Sequence, residues 1–225
     1  MNLIKALLSM SILCFHFQLI TAQENMKIIY IGDPMCSWCY GIAPQWEKVY
    51  EHYKESAEIE IIMGGLRPYH KVPMTEMKDF LAEHWHQVNK ATNQPFSYGI
   101  LDNSSLVYDT EPPCRATAIV RELAPDKAIP FFKLIQEDFY SENKYLGSTD
   151  SYTESLKTLG IPVEDFAEAF ESDKWKEQIK LDFQKSRSLG VSSFPTILVE
   201  KEGRISVVAK GYSESEEIIR RIEGL

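Results

Sequence analysis

Asp33-Pro34-Met35-Cys36-Ser37-Trp38-Cys39-Tyr40-Gly41 decides how the rest of the chain is read. Ahead of it, Lys27 to Ile31 is a short apolar run that reads as a buried strand, and Gly32-Asp33-Pro34 is a turn signal. From Ser37 to about Glu55 the residues suit a helix, so both cysteines stand where a strand gives way to a helix. Unpaired backbone donors and the positive end of the helix dipole gather there and favour a thiolate on Cys36. Two intervening residues put Cys39 one turn inward, near enough to attack a mixed disulfide held on Cys36. Cycling between dithiol and disulfide is the chemistry this spacing points to. Pro44, inside the same helix, lacks a backbone donor and is expected to kink it.

Outward from the motif, Glu58 to Met63 alternates charged and apolar residues as a second strand closed by Gly64-Gly65. Strand, helix, strand is a β-α-β unit with parallel strands. Between Arg67 and Leu189 helical stretches take over: Met74 to Asn89, Pro113 to Leu123, Ala128 to Asn143, Ser151 to Leu159, Val163 to Phe170 and Lys174 to Leu189. After Gly190, Thr196 to Glu200 and Arg204 to Ala209 flank the turn Glu202-Gly203 as a hairpin. Ser213 with Glu216 reads as a capping box for a terminal helix. This order predicts an α/β, thioredoxin-like fold with a large all-helical insertion. Residues 23–66 and 190–225 are expected to form the thioredoxin-like domain and 67–189 the insertion.

Of the 225 residues, 1–22 read as an export signal, with Lys5 ahead of an apolar stretch from Leu7 to Ile20 and a cleavage site at Thr21-Ala22. The stretch is short for a membrane span and carries His16 and Gln18, so no anchor is expected in the mature form. A net charge of −9 without a basic run argues against a nucleic-acid partner or an anionic membrane surface. Cys14 would leave with the signal, which places Cys36, Cys39 and Cys114 in a periplasmic or secreted protein. Three thiols cannot all pair, so a stapled framework is excluded. Zinc needs about four ligands. There is no second C-x-x-C, and His84 and His86 project to different faces of a predicted helix, so no metal and no cofactor is expected. Cys114 follows Pro112-Pro113 at a predicted helix start, a position that can lower a thiol pKa, but the favoured reading is a buried, inert thiol.

Two segments, the motif itself and Leu189-Gly190-Val191-Ser192-Ser193-Phe194-Pro195-Thr196, resemble the DsbA-like thioredoxin-fold oxidoreductases, and the resemblance covers most of the mature chain. Gly64-Gly65-Leu66-Arg67-Pro68 looks like the matching segment of an FrnE-like subgroup, its glycines serving backbone geometry. The resemblance implies that Pro195 is cis and faces Cys36, and that Phe194 presents its backbone to a substrate peptide. Cys36, Cys39 and Pro195 would then be catalytic, while Ser37, Trp38 and Phe194 would contact substrate, with Trp38 either a platform or a cover. Expected partners are protein thiols or disulfides and a redox partner that regenerates the active state. The sequence departs from the pattern six positions before Cys36, where many thioredoxin-fold enzymes carry a buried acid and this chain has Tyr30. Asp33 is expected to shape the turn or cap the helix. Two other readings are a kappa-type glutathione-dependent transferase or isomerase, and a binding protein whose motif is a static disulfide.

Overall fold

The computed structural model describes residues 26–225; the expected export signal, and with it Cys14, lies outside the described residues. β1 (Met26–Gly32), α1 (Ser37–Tyr53) and β2 (Glu58–Met63) form the expected parallel unit, in register from Lys27 opposite Glu58 to Gly32 opposite Met63. The named elements that follow are helical up to Ser188: α2 (Lys78–Thr92), α3 (Glu111–Leu123), α4 (Ala128–Tyr140), α5 (Thr153–Leu159), α6 (Val163–Glu171) and α7 (Asp173–Ser188), with short 3₁₀ turns between them. β3 (Thr196–Lys201) then pairs antiparallel with β1, β4 (Arg204–Lys210) pairs with β3, and α8 (Ser215–Glu223) closes the described chain. The sheet order is β2-β1-β3-β4. This is the thioredoxin-like α/β architecture that the order of elements predicts.

β1 is central and buried on both faces, which is why it reads as an unbroken apolar run. Ile28 and Tyr30 join the main core with α1 and the helical segment. Ile29 and Ile31 join a smaller cluster with Ile62, Val191 and Leu198. Burial of these side chains, at about 25 cal/mol per Å² of apolar surface, is what seats the cysteine turn at the end of β1.

Three helix starts or ends are revised, and Pro44 is accommodated inside α1. α1 runs through Pro44 to Tyr53 without a break, and the carbonyl of Tyr40, which would otherwise bond residue 44, accepts from Gln94 Nε2 at 2.9 Å. A side chain from outside the helix thus replaces the bond that proline removes. α4 stops at Tyr140 because Asn143 has φ 55°, a left-handed conformation incompatible with further helix, and its Oδ1 caps the Ile100 N–H at 2.9 Å. α3 begins at Glu111, so both prolines lie in its first turn, where missing donors cost nothing. The capping box is absent: the N-cap of α8 is Glu214, the Ser215 N–H bonds Gln45 Oε1 at 3.2 Å, and Glu216 Oε2 accepts from the Ser215 hydroxyl at 3.0 Å. Packing of α8 onto α1 through Gln45 has shifted the helix start past Ser213.

At the sheet edge, α3 and α7 supply side chains to β2. Arg121 Nη1 donates to the Ile61 carbonyl at 2.7 Å, and Asp182 Oδ2 accepts from the Met63 N–H at 2.9 Å. Arg121 and Asp182 also pair through two bonds of 2.7 and 2.8 Å. Covering an edge strand in this way stops it recruiting a foreign strand.

Candidate active site at the start of the first helix

Cys36 is the N-cap of α1, with an extended backbone (φ −89°, ψ 115°), its N–H bonded to the Asp33 carbonyl and its own carbonyl accepting from the Tyr40 N–H. Its sulfur lies 3.6 Å from the Phe194 carbonyl oxygen, to which it donates. The Phe194–Pro195 peptide bond is cis, and through the Phe194 carbonyl the loop ahead of β3 meets the start of α1 at Cys36. Ser37 and Trp38 are half-buried, and Trp38 packs against the main core. All six residues singled out in the two motif segments therefore belong to one corner of the molecule or flank it.

Cys36 and Cys39 are both free thiols, Cys36 being 6% exposed and Cys39 fully buried. Burial, followed by the neighbouring Cys36 sulfur, drives the Cys39 thiol well above its ordinary value. Two donors oppose this shift: the backbone N–H of Asp33 and the hydroxyl of Tyr30. Tyr30 is itself pushed far upward by burial, so at neutral pH it is a fixed donor to Cys39 and not a base. Gly32 makes room for this contact, since a Cβ there would sit 2.6 Å from the Tyr30 ring and 3.2 Å from the Cys39 sulfur.

Asp33 does more than shape the turn. Its Oδ1 accepts from the Met35 N–H at 2.8 Å, as a turn-forming aspartate does, while Oδ2 accepts from the Leu66 N–H at 2.6 Å and from the Cys114 thiol at 3.3 Å. The carboxyl is fully buried, and burial raises its pKa despite these donors. It ties the cysteine turn to the segment after β2 and to α3. Cys114 is likewise fully buried and its N–H bonds the Thr110 carbonyl, so no helix-start donor is free to stabilise a thiolate; burial first and Asp33 second push its thiol well up. Of the two readings of Cys114, the buried, unreactive thiol is the one the structure shows, and the lowered pKa is not.

Gly64 permits a close approach rather than an unusual conformation: a Cβ would fall 2.1 Å from the Phe194 ring. Gly65, with φ 69°, occupies the left-handed region and faces the Phe183 ring. Sequence reasoning missed the Tyr30 contact with Cys39 and the Asp33–Cys114 bond. Alternation along β1 would have put Tyr30 on one face with Ile28, but a strand buried on both sides hides that alternation.

These environments predict a selective reaction. Iodoacetamide at neutral pH should place one carboxamidomethyl group on the reduced native protein, at Cys36, with Cys39 and Cys114 labelled only after unfolding or well above the usual thiol range. Rapid labelling of Cys114 in the folded protein, read by peptide mass mapping, would contradict the burial described.

Residues 29–215 match the family model described as thioredoxin. A protein from Nitrosomonas europaea described as a "putative protein disulfide isomerase" is 32% identical, the match covering 89% of this chain and 97% of that one with a TM-score of 0.80. The cytosolic disulfide reductase DsbM from Pseudomonas aeruginosa is 27% identical over 88% of this chain and 96% of that one, with a TM-score of 0.75. Among curated proteins, the ClpXP adapter protein SpxH of Halalkalibacterium halodurans is 19% identical over 191 residues, 80% of this chain. The chain spans 62% of the length of that relative and 58% of its counterpart from Shouchella clausii.

Proposed function

The chain belongs to the thioredoxin family, and on that footing we propose that it exchanges disulfides with protein thiols through Cys36 and Cys39. The observation that carries this reading is the thiol pair at the tip of α1, with the Cys36 sulfur 3.6 Å from the Phe194 carbonyl and Cys39 fully buried behind it, its ionisation opposed by burial and by the neighbouring sulfur. In the reducing direction, the Cys36 thiolate attacks one sulfur of a substrate disulfide and expels the other as a thiolate, which takes up a proton. Cys39 then gives up its proton and attacks the Cys36 sulfur. A Cys36–Cys39 disulfide forms, the second substrate thiol leaves, and two electrons have passed to the substrate. Oxidation of substrate dithiols is the same sequence reversed.

Ser37, Trp38 and Phe194 would contact the substrate chain around the attacked sulfur, and Pro195 would hold the Phe194 carbonyl over Cys36. The 3.6 Å contact between that carbonyl and the Cys36 sulfur supports this assignment. In the reducing direction the regenerating partner would be a thiol: the Pseudomonas reductase has also been solved with glutathione, at 26% identity to this chain, and glutathione is the first candidate for that role. A redox titration in glutathione buffers tests the whole reading. The Cys36–Cys39 couple should have a potential above about −300 mV, whereas a static disulfide would resist the glutathione pool and titrate below it. The value also fixes the direction, an oxidising couple donating disulfides and a reducing one removing them.

Residues 1–22 would direct export, supported by Lys5 and the apolar stretch after it. Among the described residues no helix is long and apolar enough to cross a membrane. Amino-terminal sequencing of the protein as made in its own cells should begin at Gln23, and retention of Met1 would reject the leader.

Tyr30 takes a positioning role in this scheme. Its hydroxyl favours the Cys39 thiolate needed for the second step. Tyr30→Phe should slow resolution of the mixed disulfide about tenfold at neutral pH, in line with loss of one hydrogen bond to a charged group. Because the missing donor leaves the Cys39 thiol still harder to ionise, the defect should shrink as pH rises. A pH-independent loss would assign Tyr30 to packing alone.

A further inference from the structure

The segment that follows β2 borders the cysteine turn and carries an arginine with no acidic partner among the described residues. Gly64 lies against the Phe194 ring, where a Cβ would fall 2.1 Å away, and the Leu66 N–H bonds Asp33 Oδ2 at 2.6 Å. Arg67 comes next, at most about 11 Å of chain from Gly64. Its backbone is fixed on both sides, the N–H donating to Thr110 Oγ1 at 3.0 Å and the carbonyl accepting from the Thr110 N–H at 3.2 Å. Tyr69 then takes φ 63°, uncommon for a residue with a side chain, and is held there by the bond from its N–H to Asp109 Oδ1 at 2.7 Å. A loop clamped in this way presents Arg67 in one place.

The Arg67 side chain is half-buried, its guanidinium 5.8 Å from the centre of the Phe80 ring. That ring is its one side-chain contact among the described residues, so its N–H fork is left free. The carboxylates nearby are engaged elsewhere: Glu111 pairs with Arg115, and Asp109 accepts from the Tyr69 and Glu111 N–H groups. These acids, with Glu177, act on Tyr69, whose hydroxyl burial first and their charges next push up to about 12. The charge of Arg67 instead reaches buried Tyr108, which bonds the Met35 carbonyl; burial, Asp33 and Cys36 raise that hydroxyl and Arg67 opposes them. Arg67 and Cys36 thus share a neighbour. Leu66, Tyr69 and Phe80 are exposed apolar side chains around the guanidinium. Such a surface suits a polypeptide with a carboxylate among apolar residues, whereas glutathione has no apolar side chain to cover it.

We propose that Arg67 selects protein substrates with an aspartate or glutamate within two residues of the exchanging cysteine, pairing with that carboxylate while Cys36 attacks beside the Phe194 loop. The selection rests on disulfide exchange at Cys36 and adds to it the class of substrate. An extended chain advances about 3.3 Å per residue, so two residues and the length of the arginine side chain cover the separation. A partly exposed ion pair is modest in strength, and its effect is on which substrate is chosen.

Peptide disulfides are the probe: a short peptide with a single cysteine, oxidised to its symmetric dimer, made with glutamate or glutamine at each of the two positions on either side. Each dimer oxidises the reduced full chain, releasing two peptide thiols as the Cys36–Cys39 disulfide forms, and single-turnover rates are read by chromatography of acid-quenched samples. At one or more positions the glutamate-to-glutamine rate ratio should be about fivefold higher for wild type than for Arg67→Gln, as a partly exposed ion pair allows. Because the ratio is taken within each variant, a general loss of activity or stability cancels from it. Arg67→Lys, which keeps the charge without the fork, should retain part of the ratio, and 1 M salt should remove most of it in wild type. Equal ratios in wild type and Arg67→Gln at all four positions would overturn the proposal and leave exchange intact. A rate lowered in Arg67→Gln for oxidised glutathione alone would overturn the choice of a protein substrate. Failure of wild type to exchange with any peptide would sink exchange itself, and the selection with it.

Discussion

Cys36→Ser will reduce disulfide exchange, measured by insulin reduction or by oxidation of a model dithiol, by about three orders of magnitude or more. The hydroxyl of serine is not ionised near neutral pH and cannot form the mixed disulfide, so no alternative route remains at this site. Cys39→Ser should fail differently. There the Cys36 sulfur is intact beside the Phe194 carbonyl, the first step proceeds, and the intermediate lacks the buried thiol that resolves it. A covalent adduct with substrate should accumulate, visible on a non-reducing gel and released by dithiothreitol. Full activity in Cys36→Ser, or a trapped adduct on Cys114, would refute the assignment of nucleophile. Cys114 should have no part in either step, because it is fully buried and bonded to Asp33.

The largest effect on stability is expected at Asp182, far in sequence from the cysteines. Its carboxylate holds Arg121 through two bonds and caps the Met63 N–H at the end of β2, and its side chain is 11% exposed against 27% for Arg121. Asp182→Ala strands a mostly buried guanidinium and a strand-edge donor together. Breaking a well-buried pair costs about 3–5 kcal/mol, and the partial exposure of Arg121 places this one near the lower bound, about 3 kcal/mol. For a chain of this size that is roughly 6–12 °C in melting temperature. The double variant Asp182→Ala with Arg121→Met should be less destabilised than the sum of the single changes, because no unpaired charge is left behind. A drop under about 2 °C for Asp182→Ala would mean that solvent already satisfies Arg121. The consequence reaches the active site, since Met63 precedes Gly64, on which the Phe194 ring lies.

Much of this fold is legible in local pattern. The apolar run before a turn, the charged and apolar alternation of Glu58 to Met63, the helical spacing through the middle of the chain and the hairpin signal at Glu202-Gly203 each report backbone periodicity or turn chemistry, which neighbours in sequence determine. Distant partners supplied what local pattern could not: Gln94 bonds the Tyr40 carbonyl left free by Pro44, and Gln45 draws the start of α8 past Ser213. The candidate site divides the same way. Cys36 and Cys39 at a helix start are readable from their spacing, and a family resemblance adds the Phe194-Pro195 loop. The Asp33–Cys114 bond and the Tyr30 hydroxyl on Cys39 are not readable.

By itself, then, the sequence determined where a reactive sulfur pair stands relative to a strand and a helix, because spacing and turn residues act over a few positions. Only the tertiary structure decided which groups surround that pair. The Phe194 carbonyl comes from 158 positions away and the Cys114 thiol that reaches Asp33 from 81, and chain segments so separated meet where the sheet and helices pack, not where any short pattern directs them.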